Sequence, residues 1–163
     1  MTAANGTASA LTMPSDTEIT MSREFDAPRA LVFRAYTDPA LIPQWWGPRK
    51  YATVVDHMDC RPGGTWRFLN VDADGSEFAF NGVYREVTPP ERLVNTFEFE
   101  PFPGHVSVET TTFEELEGGW TRVNFHVQFD NVEDCDGMVN SGMESGWTES
   151  VERLTELLAT LIT

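Results

Sequence analysis

Apolar and polar residues alternate along much of the chain between residues 17 and 129, and this period of two predicts β-strands. The first predicted strand spans Thr17–Phe25. Turn signals rich in Gly and Pro divide the later part into six further strands, at Tyr51–Asp59, Thr65–Asp72, Glu77–Val87, Arg92–Glu100, His105–Leu116 and Trp120–Phe129. These connections are shorter than the roughly dozen residues of a parallel crossover, so we predict an antiparallel sheet.

Helical spacing replaces this alternation in two parts of the chain. After the first strand, Asp26 with Pro28 and then Asp38 with Pro39 each precede apolar residues, which predicts two short helices. After residue 131, apolar residues recur in steps of three and four, which predicts one long amphipathic helix. Its apolar positions are Val139, Met143, Trp147, Val151, Leu154, Leu157, Leu158 and Leu161.

This order of elements predicts an α+β fold in which a curved antiparallel sheet of about seven strands wraps around the C-terminal helix. The two short helices lie between strands 1 and 2. Because one helix cannot fill the inner face of a strongly curved sheet, we expect an apolar cavity between them. Residues 1–16 are small and polar without a period, so we predict a disordered leader and a single domain over residues 17–163.

Small residues interrupt the apolar stripe of the long helix. Gly146 and Ser150 fall inside the stripe, and Gly142 lies one turn earlier. Glycine costs about 1 kcal/mol relative to alanine inside a helix, so two of them four residues apart require a reason. Either the helix approaches the sheet closely at these positions, or they leave room for a ligand.

Strand alternation identifies the residues that face the helix. In the last strand this face carries Thr121, Val123, Phe125, Val127 and Phe129. In the strand before it, an inward Phe113 brings Thr111 and Glu109 to the same face. The predicted cavity lining consists of Trp46, Trp66, Phe68, Phe80, Tyr84, Glu109, Thr111, Phe113, Phe125, Met143, Gly146, Trp147 and Ser150. For each aromatic residue taken alone, plain core packing is the alternative.

Glu109 is the unusual member of this set. If its carboxyl group is buried without a basic partner, its pKa rises and it becomes a candidate acid, base or ligand anchor. The alternative is that Glu109 lies at the open rim, or that the strand register breaks near it.

Composition and charge restrict the possible functions of the protein more than they restrict its possible folds. The 163 residues suit one domain, and 26 acidic against 11 basic residues give a formal charge of −15. This charge argues against nucleic acid and anionic membranes as partners and predicts a solvated, soluble surface. No apolar run reaches the roughly 18 residues of a membrane helix, and the N-terminus lacks a signal-peptide pattern, so we expect no membrane insertion and a cytoplasmic location.

The sequence gives no sign of a metal or cofactor site. Cys60 and Cys135 lie far apart, and neither they nor the three histidines have the spacing of metal ligands or of a catalytic triad. We therefore expect no metal and no cofactor. Both a monomer and a homodimer remain open.

Four separated segments resemble a known family. They are REFDAPRALVFRAYTDPALIPQWWGP, DCRPGGTWRF, GVYREVTPPERLVNTFEF and SGMESGWTESVERLTELL. Together they resemble the activator-of-heat-shock-ATPase-like branch of the SRPBCC (START and birch-pollen-allergen-like) superfamily. The resemblance implies the helix-grip fold, with a cavity under the C-terminal helix, and a stand-alone domain of bacterial type. With 163 residues, the chain is expected to lack room for the additional N-terminal domain of the eukaryotic chaperone activator.

The resemblance does not imply one function, because the superfamily includes lipid carriers, hormone receptors, polyketide cyclases and coenzyme-Q-binding proteins. The leading hypothesis is binding or carriage of a small hydrophobic molecule without catalysis. The first alternative is an enzyme of cyclase, aromatase or hydrolase type that uses Glu109, His105 or Tyr84. The second alternative is an interaction module with a chaperone as partner.

Overall fold

One antiparallel sheet of eight strands forms the body of the protein, in a computed structural model that describes residues 10–162. The strands are β1 (Thr12–Ser15), β2 (Glu18–Phe25), β3 (Ala52–Met58), β4 (Thr65–Val71), β5 (Glu77–Thr88), β6 (Arg92–Phe99), β7 (Val106–Glu115) and β8 (Thr121–Gln128). Their order across the sheet is β1-β2-β8-β7-β6-β5-β4-β3. Strands β3 to β8 form a continuous meander. β2 pairs with β8, although the two strands are far apart in the sequence.

Three α-helices and two short 3-10 turns complete the described part of the fold. The helices are α1 (Arg29–Thr37), α2 (Val132–Asn140) and α3 (Met143–Ile162), and the turns lie at Ile42–Gln44, which we call the 3-10 turn, and at Glu117–Gly119. Buried side chains of α3 and α1 share one core with the inner face of the sheet. This arrangement confirms the predicted α+β helix-grip fold. The second of the two short helices is only the three-residue 3-10 turn.

The eighth strand lies in the segment that was predicted to be a disordered leader. Thr12–Ser15 form β1, which pairs with β2 through Thr12 opposite Thr20 and Ser15 opposite Glu18. The prediction is therefore wrong for these four residues. They lack an alternating pattern, and their pairing depends on the backbone groups that the edge of β2 offers. Residues 1–9 of the predicted leader lie outside the described residues.

The C-terminal segment forms two helices, although the spacing predicts one. α2 ends at Asn140, and Gly142 has a φ of 88°, which no α-helix contains. α3 begins at the next residue. The apolar spacing continues from Val139 to Met143 across the break, so the period of the sequence does not reveal it. Gly142 thus ends a helix and does not make space within one.

The β8 alternation places its side chains as expected. Thr121, Val123 and Val127 are at most 2% exposed, and Phe125 between them is partly exposed. Residues 122, 124, 126 and 128 of the same strand are more exposed. The inner face of the sheet is therefore the one that carries the core.

Gly142→Ala and Gly137→Ala should change stability in opposite directions. Neither added methyl group meets an atom within 4 Å, so only backbone conformation decides. Alanine at the left-handed position 142 costs about 1 kcal/mol, whereas alanine within α2 at position 137 gains about 0.5–1 kcal/mol. Urea unfolding of both variants measures the difference. If Gly142→Ala stabilises the protein as much as Gly137→Ala, the break between the helices is refuted.

Candidate functional site

A pocket of about 370 Å³ lies between the inner face of the sheet, the 3-10 turn and the N-terminal half of α3. Aromatic side chains dominate its lining, namely Tyr36, Trp45, Trp46, Tyr51, Trp66, Phe68, Phe80, Tyr84, Phe97, Phe125 and Trp147. Its volume falls in the range of about 300–1,000 Å³ that is typical of small-molecule sites. The pocket is thus large enough for a compact ligand.

Twelve of the thirteen residues predicted from the sequence belong to this lining. They are Trp46, Trp66, Phe68, Phe80, Tyr84, Glu109, Thr111, Phe125, Met143, Gly146, Trp147 and Ser150. Phe113 lies outside it, because α1 covers that end of β7. Its ring instead packs edge-on against Phe33 and Tyr36, with centroid distances of 5.1 Å to each.

The aromatic wall is built from rings that contact one another. Trp46 meets Phe68 and Phe80 edge-on, with centroids 5.1 and 5.3 Å apart. Trp66 lies 4.7 Å from Phe68, and Phe97 lies 5.5 Å from Phe80. Such edge and tilted contacts are the favoured arrangements of aromatic pairs. The wall is therefore held by its own packing.

Hydrogen bonds fix the 3-10 turn that forms one edge of the pocket. The Trp45 indole N–H donates to the Ala35 carbonyl oxygen over 3.0 Å. The Gly47 backbone N–H donates to the Ser150 hydroxyl over 3.0 Å, and the Arg153 guanidinium donates to the Gly47 carbonyl over 2.8 Å. Through the side chains of Ser150 and Arg153, α3 therefore holds in place the backbone that follows the 3-10 turn.

The small residues of α3 lie beside Gly47 and Pro48, in the segment that follows the 3-10 turn. A methyl group at Gly146 would lie 3.7 Å from Cγ of Pro48, which is ordinary van der Waals contact. Gly146 and Ser150 also line the pocket. Close approach to the sheet therefore does not explain Gly146, because an alanine side chain would fit at this position. The open space beside these small residues belongs to the pocket.

Trp147 and Phe125 close the opposite side of the pocket. Their rings are nearly parallel, with an angle of 8° and a centroid distance of 6.3 Å. Met138, Gly142 and Met143, from the α2–α3 junction, continue this side of the lining. The junction of the two helices is thus part of the pocket wall.

A polar row crosses the aromatic wall. Tyr84, Asn95 and Glu109 form this row as successive cross-strand partners on β5, β6 and β7, and the apolar Val127 on β8 continues it; all four residues line the pocket. The Asn95 side-chain amide donates to Oε1 of Glu109 over 3.2 Å. Pairing of β6 with β7 is continuous through Glu109, so the register does not break there.

The Glu109 carboxyl group has an unusual electrostatic environment. Desolvation raises its pKa to about 7, against the opposing effect of the Asn95 hydrogen bond. Burial raises the pKa of the Tyr36 hydroxyl, with a smaller contribution from the Glu109 charge. Burial also raises the pKa of the Tyr84 hydroxyl, followed by the effect of Cys60 and then by that of Glu109, so both hydroxyls stay protonated at neutral pH. Among residues 10–162, no Lys, Arg or His lines the pocket. Glu109 therefore faces the pocket without a cationic partner.

His105 lies apart from this row. Its side chain is 57% exposed, and its Nδ1 lies 2.7 Å from a carboxylate oxygen of Asp134. Of the three residues considered for catalysis, the structure therefore brings together only Glu109 and Tyr84 at the pocket.

The family model for "Activator of Hsp90 ATPase homolog 1-like protein" matches residues 26–159. The chain belongs to this family. The match covers most of the fold, from the start of α1 to near the end of α3, and supports the resemblance that the sequence segments carry.

Solved structures similar to this family member come from several bacteria. A Rhodobacter sphaeroides protein has a TM-score of 0.87 at 24% identity, with 94% of this chain and 99% of that chain covered. Protein Ms6760 from Mycobacterium smegmatis has a TM-score of 0.83 at 25% identity, with 93% and 97% covered. The AHSA1 protein from Silicibacter pomeroyi has a TM-score of 0.72 at 24% identity, with 88% and 98% covered. No curated protein matches the chain.

Residues 10–162 of this family member contain neither a membrane-spanning helix nor a cluster of metal ligands. None of its helices has the length and hydropathy needed to cross a membrane. No group of three or more His, Cys, Asp or Glu side chains is arranged to hold a metal ion.

Sequence reasoning missed Asn95 and Tyr36, although both carry a signal. Leu93, Asn95 and Phe97 alternate in β6, so the apolar neighbours place the amide on the inner face. Tyr36 follows Val32 by one helical turn in α1 and therefore shares its inward face. A polar residue between apolar neighbours in a strand was the available signal for the site.

Glu109→Gln should raise the free energy of unfolding relative to the wild type, and this gain should be larger at high pH than at low pH. Because the pKa of Glu109 is higher in the folded than in the unfolded chain, the unfolded chain ionises first, and wild-type stability falls between about pH 4.5 and about pH 7. The variant should gain about 2 kcal/mol relative to the wild type between about pH 5 and about pH 8. Urea unfolding at both pH values measures this gain.

The exposed Glu77 at the start of β5 provides the matched control. Glu77→Gln should show no such pH-dependent gain. A difference between Glu109→Gln and the wild type that is the same at both pH values would show that Glu109 titrates normally.

Proposed function

We propose that this protein reversibly binds a small, largely apolar and aromatic molecule in the pocket between the sheet and α3. The observation that carries this proposal is the pocket of about 370 Å³, whose lining is mainly apolar, rich in aromatic residues and crossed by one polar row. Transfer of an apolar ligand from water to such a surface is favourable, and the polar row can orient it.

Pre-organisation of the wall supports binding. The rings of Trp46, Trp66 and Phe68 contact one another, and the Trp45 indole is fixed to α1 by its hydrogen bond. A ligand that enters therefore need not pay the full entropic cost of ordering these side chains. Met138 and Met143 on the other side have flexible side chains that can adapt to the ligand's shape.

The indole N–H signals of the five tryptophans test the site directly. Four of them, Trp45, Trp46, Trp66 and Trp147, line the pocket, whereas Trp120 does not. Titration of ¹⁵N-labelled protein with the neutral probe 2-naphthylmethanol should shift signals of the pocket tryptophans and leave Trp120 unchanged. Absence of any shift, or a shift of Trp120 alone, would contradict the proposal.

Met143→Trp should obstruct the pocket and weaken binding of the same probe at least about tenfold, because the larger ring occupies space at the lining. Val132→Trp is the matched control, since Val132 is the exposed first residue of α2 as Met143 is the first residue of α3. Calorimetric titration of both variants measures the effect. Equal weakening by both substitutions would speak against a site in the pocket.

Acid–base catalysis in the same pocket is the second candidate function. It is favoured by the Glu109 carboxyl group, which lines the pocket together with the Tyr84 hydroxyl and whose pKa desolvation raises to about 7. Groups that titrate near neutral pH suit proton transfer. Mass spectrometry of a ligand incubated with the protein separates the two functions. A carrier returns the ligand unchanged, whereas an enzyme converts it in a way that Glu109→Gln abolishes.

Interaction with a chaperone, which the family description suggests, gains no comparable support. It predicts a sizeable apolar or charge-complementary patch outside the pocket. The exposed large apolar side chains of residues 10–162 are distributed over six different segments, as Met13, Val54, Val83, Phe102, Val132 and Ile162. We therefore propose ligand binding as the function.

A further inference from the structure

The carboxyl group of Glu109 lacks the ion pair that would let it stabilise the fold. Several other acidic side chains pair with arginines, as in the pairs Arg67–Glu100 and Arg122–Glu24, each with a nitrogen-to-oxygen distance of 2.8 Å. Within the part of the chain that the structure describes, Glu109 accepts only the Asn95 amide hydrogen bond, at 3.2 Å. An ionised carboxylate can accept several hydrogen bonds, so most of its capacity faces the pocket unused.

The groups that face Glu109 cannot neutralise it. Tyr84 from β5 and Tyr36 from α1 are the titratable neighbours, and both hydroxyls remain neutral. Asn95 from β6 and Val127 from β8 are uncharged, and the α3 residues of the lining are Met143, Gly146, Trp147 and Ser150. A charge that lacks a partner in an apolar site costs several kcal/mol unless a ligand supplies that partner.

The aromatic wall favours a cation in the same place. Trp, Tyr and Phe rings attract ammonium groups through the negative faces of their π-systems, and rings surround the polar row on the sheet. A ligand that carries a carboxylate, such as a fatty acid, would instead meet Glu109 and the protein's formal charge of −15. The pocket thus discriminates between cationic and anionic ligands of equal apolar bulk.

We propose, on the basis of the function proposed above, that the ligand is an apolar aromatic amine whose protonated nitrogen pairs with the Glu109 carboxylate. Its apolar body lies against the wall of Trp46, Trp66 and Phe80, and its ammonium group donates to the oxygen that Asn95 leaves free. The aromatic surface supplies affinity, and Glu109 supplies selectivity for the charge.

The pairing makes amine binding depend on pH. An alkylammonium group stays protonated between about pH 6 and about pH 8, whereas Glu109 gains its charge over this range because desolvation raises its pKa to about 7. The fraction of protein with an ionised Glu109 therefore rises about tenfold, and the affinity for the amine should rise by the same factor. The affinity for a neutral ligand should stay nearly constant.

Three probes with one apolar body test the assignment by calorimetric titration. They are 2-naphthylmethylamine, 2-naphthylmethanol and 2-naphthoic acid. At about pH 8 the amine should bind at least about tenfold more tightly than the alcohol, and the acid should bind most weakly. Glu109→Gln should remove both the preference for the amine over the alcohol and the pH dependence of amine binding.

Glu77→Gln, on the protein surface, should leave all three affinities unchanged. If amine and alcohol bind equally to the wild type, or the acid binds most tightly, the amine assignment is overturned while ligand binding itself stands. If the folded protein binds none of the three probes, both the amine assignment and the proposed function are overturned.

Discussion

Packing of α3 against the inner face of the sheet is the interaction on which the other features of this protein depend. The C-terminal half of the helix supplies the packing, because Val151 and Leu154 are fully buried and Leu158 is 2% exposed. The N-terminal half carries Met143, Gly146, Trp147 and Ser150, which line the pocket. One helix thus holds the core at one end and leaves an accessible aromatic surface at the other.

The same helix determines the shape of the pocket through its contacts with the 3-10 turn. Ser150 and Arg153 bind the backbone of Gly47, whose φ of 89° and proximity to the Asn70 side chain leave no room for a Cβ. Trp46, which precedes Gly47 in this segment, contacts Phe68 and Phe80 on the sheet. Desolvation against this apolar surface raises the pKa of Glu109, which means that its ionised form is unfavourable in the folded protein. The packing of α3 offsets this cost, and for this reason we propose Glu109 as the functional residue of the pocket.

Most strands could be predicted to within a residue or two, because alternation in Glu18–Phe25 or Thr121–Gln128 records which face is buried. Alternation also placed Glu109 on the inner face. It could not show that α1 covers Phe113, since a strand's period identifies a face and not the element that lies above it. β1 escaped prediction because its pairing is specified by the edge of β2. The break at Gly142 escaped because the apolar period continues across it.

The charge state of Glu109 is the property that links the fold to the proposed ligand chemistry. A ¹³C NMR titration of the Glu109 side-chain carboxyl, assigned with the Glu109→Gln variant, measures it directly in the folded protein. The structure predicts a midpoint of about 7. A midpoint near the ordinary value of 4.5 would mean that water or a cation already compensates the carboxylate, and would contradict an unpaired acidic group in an apolar pocket.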